Sequence, residues 1–404
     1  MFSLMIYLLT FLITIILTFL AELILKGDDI NGNVKISNNK SRLGALLLIS
    51  VAVILLSMIA SLRAVTVGTD VTGYIINNFS DAQNSSNFFN FYNSQIISTN
   101  GMYLSKLSEV MEPLFALIIF IGAKAGSIGI TFFIIEFLIV TPIYIFLYLN
   151  RKSGSMVIGI TLFLFLFYNF SLSGMRQSIA MSLFLLATYF LLNGSPWKAI
   201  ILLVFAYFFH TSIAIVSVIL FLVYFIFNKK QNNKKQILII TTLLLILLLL
   251  LYSRLSSFLI DISSKINPRY GYYISHYAGI YNQLTLSNIP ISELVFKSLI
   301  VIYLSYIVIK SKRVLIIKNQ ILLFLQFIGI YLILFNANFY ESLRLAYYFN
   351  FLMIYSVPIT SKCINQDRIN ILLNYLFCCF PAVLYWAIFI MYRGAYGTVP
   401  YLFR

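Results

Sequence analysis

The sequence predicts an all-α integral membrane protein, and three observations predict it. Apolar runs of about 18 to 20 residues recur from end to end of the 404-residue chain, the length at which a helix crosses a hydrocarbon core. The chain is 61% hydrophobic and only 10% charged, with a mean hydropathy of +0.94, too little charge to solvate a soluble domain of this size. Basic residues gather in short loops between the runs. Residues 26–42 hold four Lys/Arg, 228–235 hold four lysines and 310–318 hold four Lys/Arg, with weaker groups at Arg151-Lys152, Lys198 and 362–368. The positive-inside rule places such loops in the cytoplasm. It accounts for the net charge of +16 without a nucleic-acid partner.

The apolar pattern and the basic loops together predict spans at 2–25, 43–62, 127–149, 156–170, 175–193, 197–209, 211–227, 236–253, 291–310, 319–337, 344–360 and 370–392. That is about 12 transmembrane helices, with both ends of the sequence outside. The first run is too long for a signal-peptide core and lacks a basic leader and a small-residue cleavage site, so it is read as a span. Residues 113–124 are apolar but short. Counting them as a crossing would put Arg151-Lys152 outside, so a re-entrant helix is expected, buried in protein or lining a cavity. Residues 197–227 are too long for one crossing, and two short or tilted helices meeting near His210 restore the parity. No soluble domain or linker interrupts the pattern, so 1–404 reads as one polytopic membrane domain. Two polar stretches remain on the extracytoplasmic side, at about 63–111 and 253–290, long enough to cover a site. Cys363, Cys378 and Cys379 have no metal-ligand spacing and read as packing residues.

Five polar clusters interrupt the apolar chain, and the charge count puts all of them on that same side. They are Arg63 with Gly68-Thr69-Asp70, Glu112-Pro113, Ser173-Gly174-Met175-Arg176-Gln177, His210, and Glu341-Ser342-Leu343-Arg344. Ionisable groups at membrane depth are costly, so they mark function. Arg176 and Gln177 open a helix, where free N–H groups and a positive dipole end suit phosphate; a snorkelling arginine would look the same in sequence. Arg63 can pair with Asp70 across a loop, and Tyr74 one turn further on offers a ring for sugar stacking. Glu112 can cap the helix begun by Pro113 or face a cavity. His210 lies at a predicted hairpin tip between two apolar helices. Arg344 can pair with Glu341 or, beside Tyr347 and Tyr348, hold a glycan phosphate. No nucleotide-binding, zinc-protease or nucleophile-elbow motif occurs, and no His/Cys/carboxylate set has metal spacing, so neither cofactor nor metal is expected.

These residues, in order, resemble the EpsG/Wzy family of bacterial polysaccharide polymerases. The resemblance is carried by Arg63, Val67-Gly68-Thr69-Asp70 and Tyr74, by Glu112-Pro113-Leu114, by Ser173-Gly174-Met175-Arg176-Gln177-Ser178-Ile179-Ala180, by Phe209-His210-Thr211-Ser212, by Arg344 with Tyr347-Tyr348-Phe349, and by Val399-Pro400-Tyr401. Between 228 and 340 only hydropathy and the basic-tyrosine loop at Arg269-Tyr270 agree. The resemblance implies a metal-independent, GT-C-like glycosyltransferase in the bacterial cytoplasmic membrane. It would join repeat units carried on undecaprenyl diphosphate at the outer face, with the growing chain as donor and a new lipid-linked unit as acceptor. A co-polymerase that regulates chain length is an expected partner.

The residue types fit that chemistry. A lipid diphosphate leaving group needs fixed cations, for which Arg176 and Arg344 are first choices and Arg63 third, with Gln177, Tyr348, Arg269 and Tyr270 as further substrate contacts. The acceptor hydroxyl needs a base, for which His210, Asp70 and Glu112 compete. An O-antigen ligase would use the same chemistry. A lipid-linked oligosaccharide flippase would need polar groups through the membrane depth instead.

Overall fold

The computed structural model describes residues 2–30, 37–97, 104–228, 290–310, 317–335, 341–362, 373 and 375–404. The described residues are mostly helical, with one short antiparallel strand pair and an extended C-terminal segment. Long apolar runs form α1 (Phe2–Ile30) and α2 (Ser37–Leu62). The polar stretch after Arg63 folds rather than looping freely. A π turn at Val71–Ile75 leads into α3 (Ile76–Asn84), then α4 (Phe88–Tyr92), the antiparallel pair β1 (Gln95–Ile97) and β2 (Leu104–Lys106), and α5 (Leu107–Val110). Next come α6 (Pro113–Lys124), α7 (Ile128–Asn150), α8 (Met156–Leu166), α9 (Tyr168–Ser171), α10 (Met175–Leu192), α11 (Pro196–Tyr207) and α12 (Ile213–Asn228). The later described part holds α13 (Ile291–Lys310), α14 (Ile317–Phe335), α15 (Glu341–Phe351), α16 (Met353–Ser361) and α17 (Phe380–Tyr385), the last flanked by π segments Tyr375–Cys379 and Trp386–Tyr392.

Among the described residues, six helices are long and apolar enough to cross a membrane: Phe2–Gly27, Lys40–Leu62, Ile128–Asn150, Met175–Leu192, Ile291–Val308 and Lys318–Phe335. Several shorter apolar helices accompany them, and the chain is a multi-pass membrane protein. Two of the expected continuous spans are broken. The run 156–170 divides at Phe167, whose φ of −131° and ψ of −20° leave the helical region. The run 344–360 divides between α15 and α16 at Leu352. The rings of Phe167 and Phe351 meet edge to face, 4.9 Å apart, where these two breaks adjoin. The expected span 236–253 and the loop 253–290 lie outside the described residues.

Helices pack in a chain of neighbours, α1 on α2, α2 on α7, α7 on α10 and α10 on α11, with α14 on α15. Since lipid tails are as apolar as leucine, polar and close-packed contacts select these pairings. Thr18 Oγ1 meets Tyr144 Oη at 2.8 Å between α1 and α7, and Tyr168 donates to Leu56 O at 3.1 Å. Gly122 lets α6 approach α7 so closely that a Cβ there would lie 1.9 Å from Thr131 Oγ1.

The C-terminal segment closes one end of this bundle. Tyr7 donates to Thr398 O at 2.9 Å, Asn169 Nδ2 to Thr398 Oγ1 at 3.0 Å, and the Trp386 indole to Asn169 Oδ1 at 2.9 Å. Backbone bonds Ala64 N to Leu402 O and Arg404 N to Leu62 O stitch the segment to the end of α2. Both ends of α6 lie near this end of the bundle. Glu112 before it meets Arg176 at the start of α10, and Ser127 after it meets Arg404.

Candidate active site

The site is assembled where helices begin. The N-termini of α6, α10 and α15 converge, and Gln177 in the first turn of α10 donates its Nε2–H to Arg344 O of α15 at 2.5 Å. Converging N-termini concentrate positive dipole ends on one small volume.

Glu112 is the centre of the hydrogen bonding. It does not cap its own helix with its side chain. Its Oε2 accepts from Arg176 Nη1 at 2.8 Å, while its Oε1 faces His210 Nδ1 at 3.2 Å and accepts from Thr211 N–H at 3.3 Å. Burial by itself would raise this carboxyl. The His210 hydrogen bond and the Arg176 charge outweigh burial and hold it down at about 2. Glu112 is therefore ionised at neutral pH, and both of its oxygens are engaged. With Nδ1–H directed at the carboxylate, the imidazole presents Nε2 as its acceptor.

Arg176 is largely enclosed, with 18% of its side chain exposed. Its guanidinium lies over the Tyr74 ring, 4.9 Å from the centroid, and reaches Val110 O at 3.4 Å. Tyr74 in turn donates to Asp70 Oδ2 at 3.0 Å. Burial lifts the Asp70 carboxyl above the usual range, against the Tyr74 hydrogen bond and the attraction of Arg176, Arg344 and His210. Those attractions place Asp70 near Arg176, Arg344 and His210. Arg344 is exposed, one turn before the buried Tyr348, whose hydroxyl pairs with Ser212 Oγ at 3.1 Å. The α11–α12 turn that carries His210 is docked on the start of α6 by Leu114 N donating to Phe208 O.

Glycines seat the two loops at the site. Gly68 has φ of +102°, and a Cβ there would stand 2.5 Å from Leu172 O. Its N–H donates to Gly397 O at 2.8 Å, and Thr69 Oγ1 meets Ser173 Oγ at 2.6 Å, so the Asp70 loop lies directly on the turn before α10.

A model of the EpsG family matches residues 46–403, which contain all five polar clusters. The chain belongs to the EpsG family. This is the family of Wzy-type polysaccharide polymerases, and membership supports a polysaccharide polymerase-like role. No curated protein and no solved structure matches the chain.

The structure thus brings Asp70, Glu112, Arg176, Gln177, His210, Arg344 and Tyr348 together. Arg63 does not join them. It is 1% exposed, donates through Nη1 to Leu172 O and through Nη2 to Met175 Sδ at 3.2 Å, and stacks 4.3 Å from the Phe132 ring. It underpins the turn before α10 from beneath and is bonded to Leu172 rather than to Asp70. Arg269 and Tyr270 lie outside the described residues. Tyr347 faces away from Tyr348 and donates to Glu293 at 3.1 Å. Glu293, with Lys297 one turn on, does not stand out in the sequence, because both sit in a span whose hydropathy hides them. Their spacing of four residues on one helix face was the available signal.

Proposed function

We propose that this EpsG-family protein polymerises undecaprenyl-diphosphate-linked oligosaccharide units into a surface polysaccharide, with a GT-C-like architecture and a site facing the outside of the bacterial cytoplasmic membrane. The observation that carries the reading is the Glu112–His210 pair bonded to Arg176 at converging helix N-termini, with Arg344 on the adjoining helix start. His210 Nε2 takes the proton of the acceptor hydroxyl. The freed oxygen attacks the anomeric carbon of the growing chain, and the bond from that carbon to the lipid diphosphate breaks. The diphosphate leaves as an anion, its charge met by Arg176, Arg344 and the helix N-termini. Glu112 and Val110 engage only Nη1 of Arg176, and a guanidinium carries five donors in all.

The Tyr74 ring beside Asp70 is suited to a sugar face. The basic loops at the opposite ends of the helices then fall on the cytoplasmic side, as the positive-inside rule requires. The test is a panel of Arg176→Ala, Arg344→Ala and His210→Ala in a strain lacking its own copy, with glycan chain length read on a gel. Each variant is expected to leave single repeat units attached and no ladder, and Arg176→Lys should impair elongation as well because a point charge does not reproduce bidentate contact. A full ladder at equal protein level would overturn the assignment. Loss of even the single attached units on deletion would point to a ligase instead.

A further inference from the structure

One buried ionic cluster takes no part in the chemistry above. Glu293 and Lys297 on α13 are each 0% exposed and paired with each other. Glu293 Oε1 accepts three phenol hydroxyls, from Tyr347 at 3.1 Å, Tyr385 at 2.7 Å and Tyr396 at 2.7 Å. Lys297 Nζ lies 4.7 Å from the Tyr347 ring, 5.5 Å from Phe167 and 5.6 Å from Tyr385. Tyr396 reaches the carboxylate from a left-handed backbone, φ 66°, between Gly394 and Gly397, also left-handed. A non-glycine residue persists there only when its surroundings compel it. A buried ion pair is weak evidence for stability, since apolar replacements often do as well, and its best-attested use is to specify one arrangement.

Three lines of contact run from this cluster to the site. Tyr347 precedes Tyr348 on α15, the helix that also carries Arg344. Phe170 packs on Tyr347 at 4.5 Å and on Tyr396 at 5.3 Å between ring centroids. Its ring also fills the space beside Gly174, where a Cβ would lie 2.5 Å from Phe170 Cζ, two residues before Arg176. Gly397, next to Tyr396, accepts the Gly68 N–H two residues before Asp70. Helix α15, the turn before α10 and the Asp70 loop therefore all lean on one ionic cluster from three directions.

We propose that Glu293 and Lys297 are positioning residues, which through Tyr347, Tyr385 and Tyr396 set Arg344, Arg176 and Asp70 at the mutual distances that diphosphate binding requires. This rests on the diphosphate reading of the site. The experiment uses the full chain in lipid nanodiscs, with undecaprenyl diphosphate as the probe, thermal unfolding as the measure of stability and chain elongation per folded molecule as the activity. Glu293→Gln and Lys297→Met each leave a buried partner unpaired and are expected to lower melting and binding together. The double variant E293Q/K297M removes both charges. It is expected to regain wild-type melting while binding the probe at least fivefold more weakly. Tyr396→Phe, which keeps the ion pair, is expected to melt like wild type and bind at least threefold more weakly. Wild-type affinity in a double variant that melts normally would overturn the proposal, as would wild-type affinity in Tyr396→Phe, which decides the matter if the double variant does not fold. Arg176→Ala serves as the separate control: unchanged affinity there would overturn the diphosphate reading itself, whereas weakened affinity there with normal binding in Tyr396→Phe would remove only the positioning role.

Discussion

Replacing Glu112 by glutamine separates its orienting role from its shape. The carboxylate receives three donors, Arg176 Nη1, His210 Nδ1 and Thr211 N–H. Holding it at about 2 rather than 4.5 corresponds to roughly 3 kcal/mol in favour of the ionised form. Solvent screening removes little of this, because only 11% of the side chain is exposed. Glutamine keeps one oxygen, and its amide N–H groups must then face either Arg176 or His210, both of which are donors. Facing His210, the amide drives the imidazole to the other tautomer, with the proton on Nε2, and the base is lost. General-base catalysis contributes about 10²- to 10⁴-fold, so elongation should fall by that factor. The assay is kcat in proteoliposomes fed lipid-linked repeat units extracted from a strain lacking the polymerase, normalised to folded protein. A depressed carboxyl contributes stability that is complete above its unfolded value near 4.5 and lost as pH falls toward 2, so the melting difference between wild type and Glu112→Gln should stay flat from pH 5 to 8. Activity within about threefold of wild type, against the expected loss, would refute the Glu112–His210 account.

Asp70→Asn tests the opposite case. Burial raises the Asp70 carboxyl, so its ionised form costs stability above its unfolded value, and the variant, which keeps an acceptor for Tyr74, should melt higher than wild type at pH 8 with the gap closing as pH falls toward 4. Gly68→Ala should severely lower the yield of folded protein, since its φ of +102° and a Cβ 2.5 Å from Leu172 O cannot both be relieved without moving the turn before α10; size-exclusion profiles in detergent read this directly. Arg63→Met leaves the buried Leu172 carbonyl without its donor and should cost about 1–3 kcal/mol of stability, while diphosphate affinity per folded molecule stays close to wild type.

Much of this was legible in the sequence because hydropathy and charge act locally. The runs that became α1, α2, α7, α10, α13 and α14 are long enough to read from length alone. The clusters at Asp70, Glu112, Arg176, His210 and Arg344 stood out because polar groups are costly in an apolar chain. The breaks at Phe167 and Leu352 were not legible, since neither position carries a proline or glycine; the two breaks adjoin at the Phe167–Phe351 contact. The stretch after Arg63 read as an open loop because its asparagines and serines mask short helices that gain order by lying on α6.

The sequence alone determined the membrane class, the helical runs and the short list of reactive groups, because each follows from residue type and near neighbours. Which of those groups share one site, and what each is bonded to, was decided only in three dimensions. His210, Asp70 and Glu112 were equivalent candidates until the fold set both Glu112 oxygens against donors and aimed Nδ1 of His210 at one of them. Arg63 and Arg176 are alike in sequence, yet one is sealed under a turn and the other opens a helix at the site. Roles of this kind depend on which groups, distant in the chain, share a few ångströms of low-dielectric space, and only the packed helices specify that.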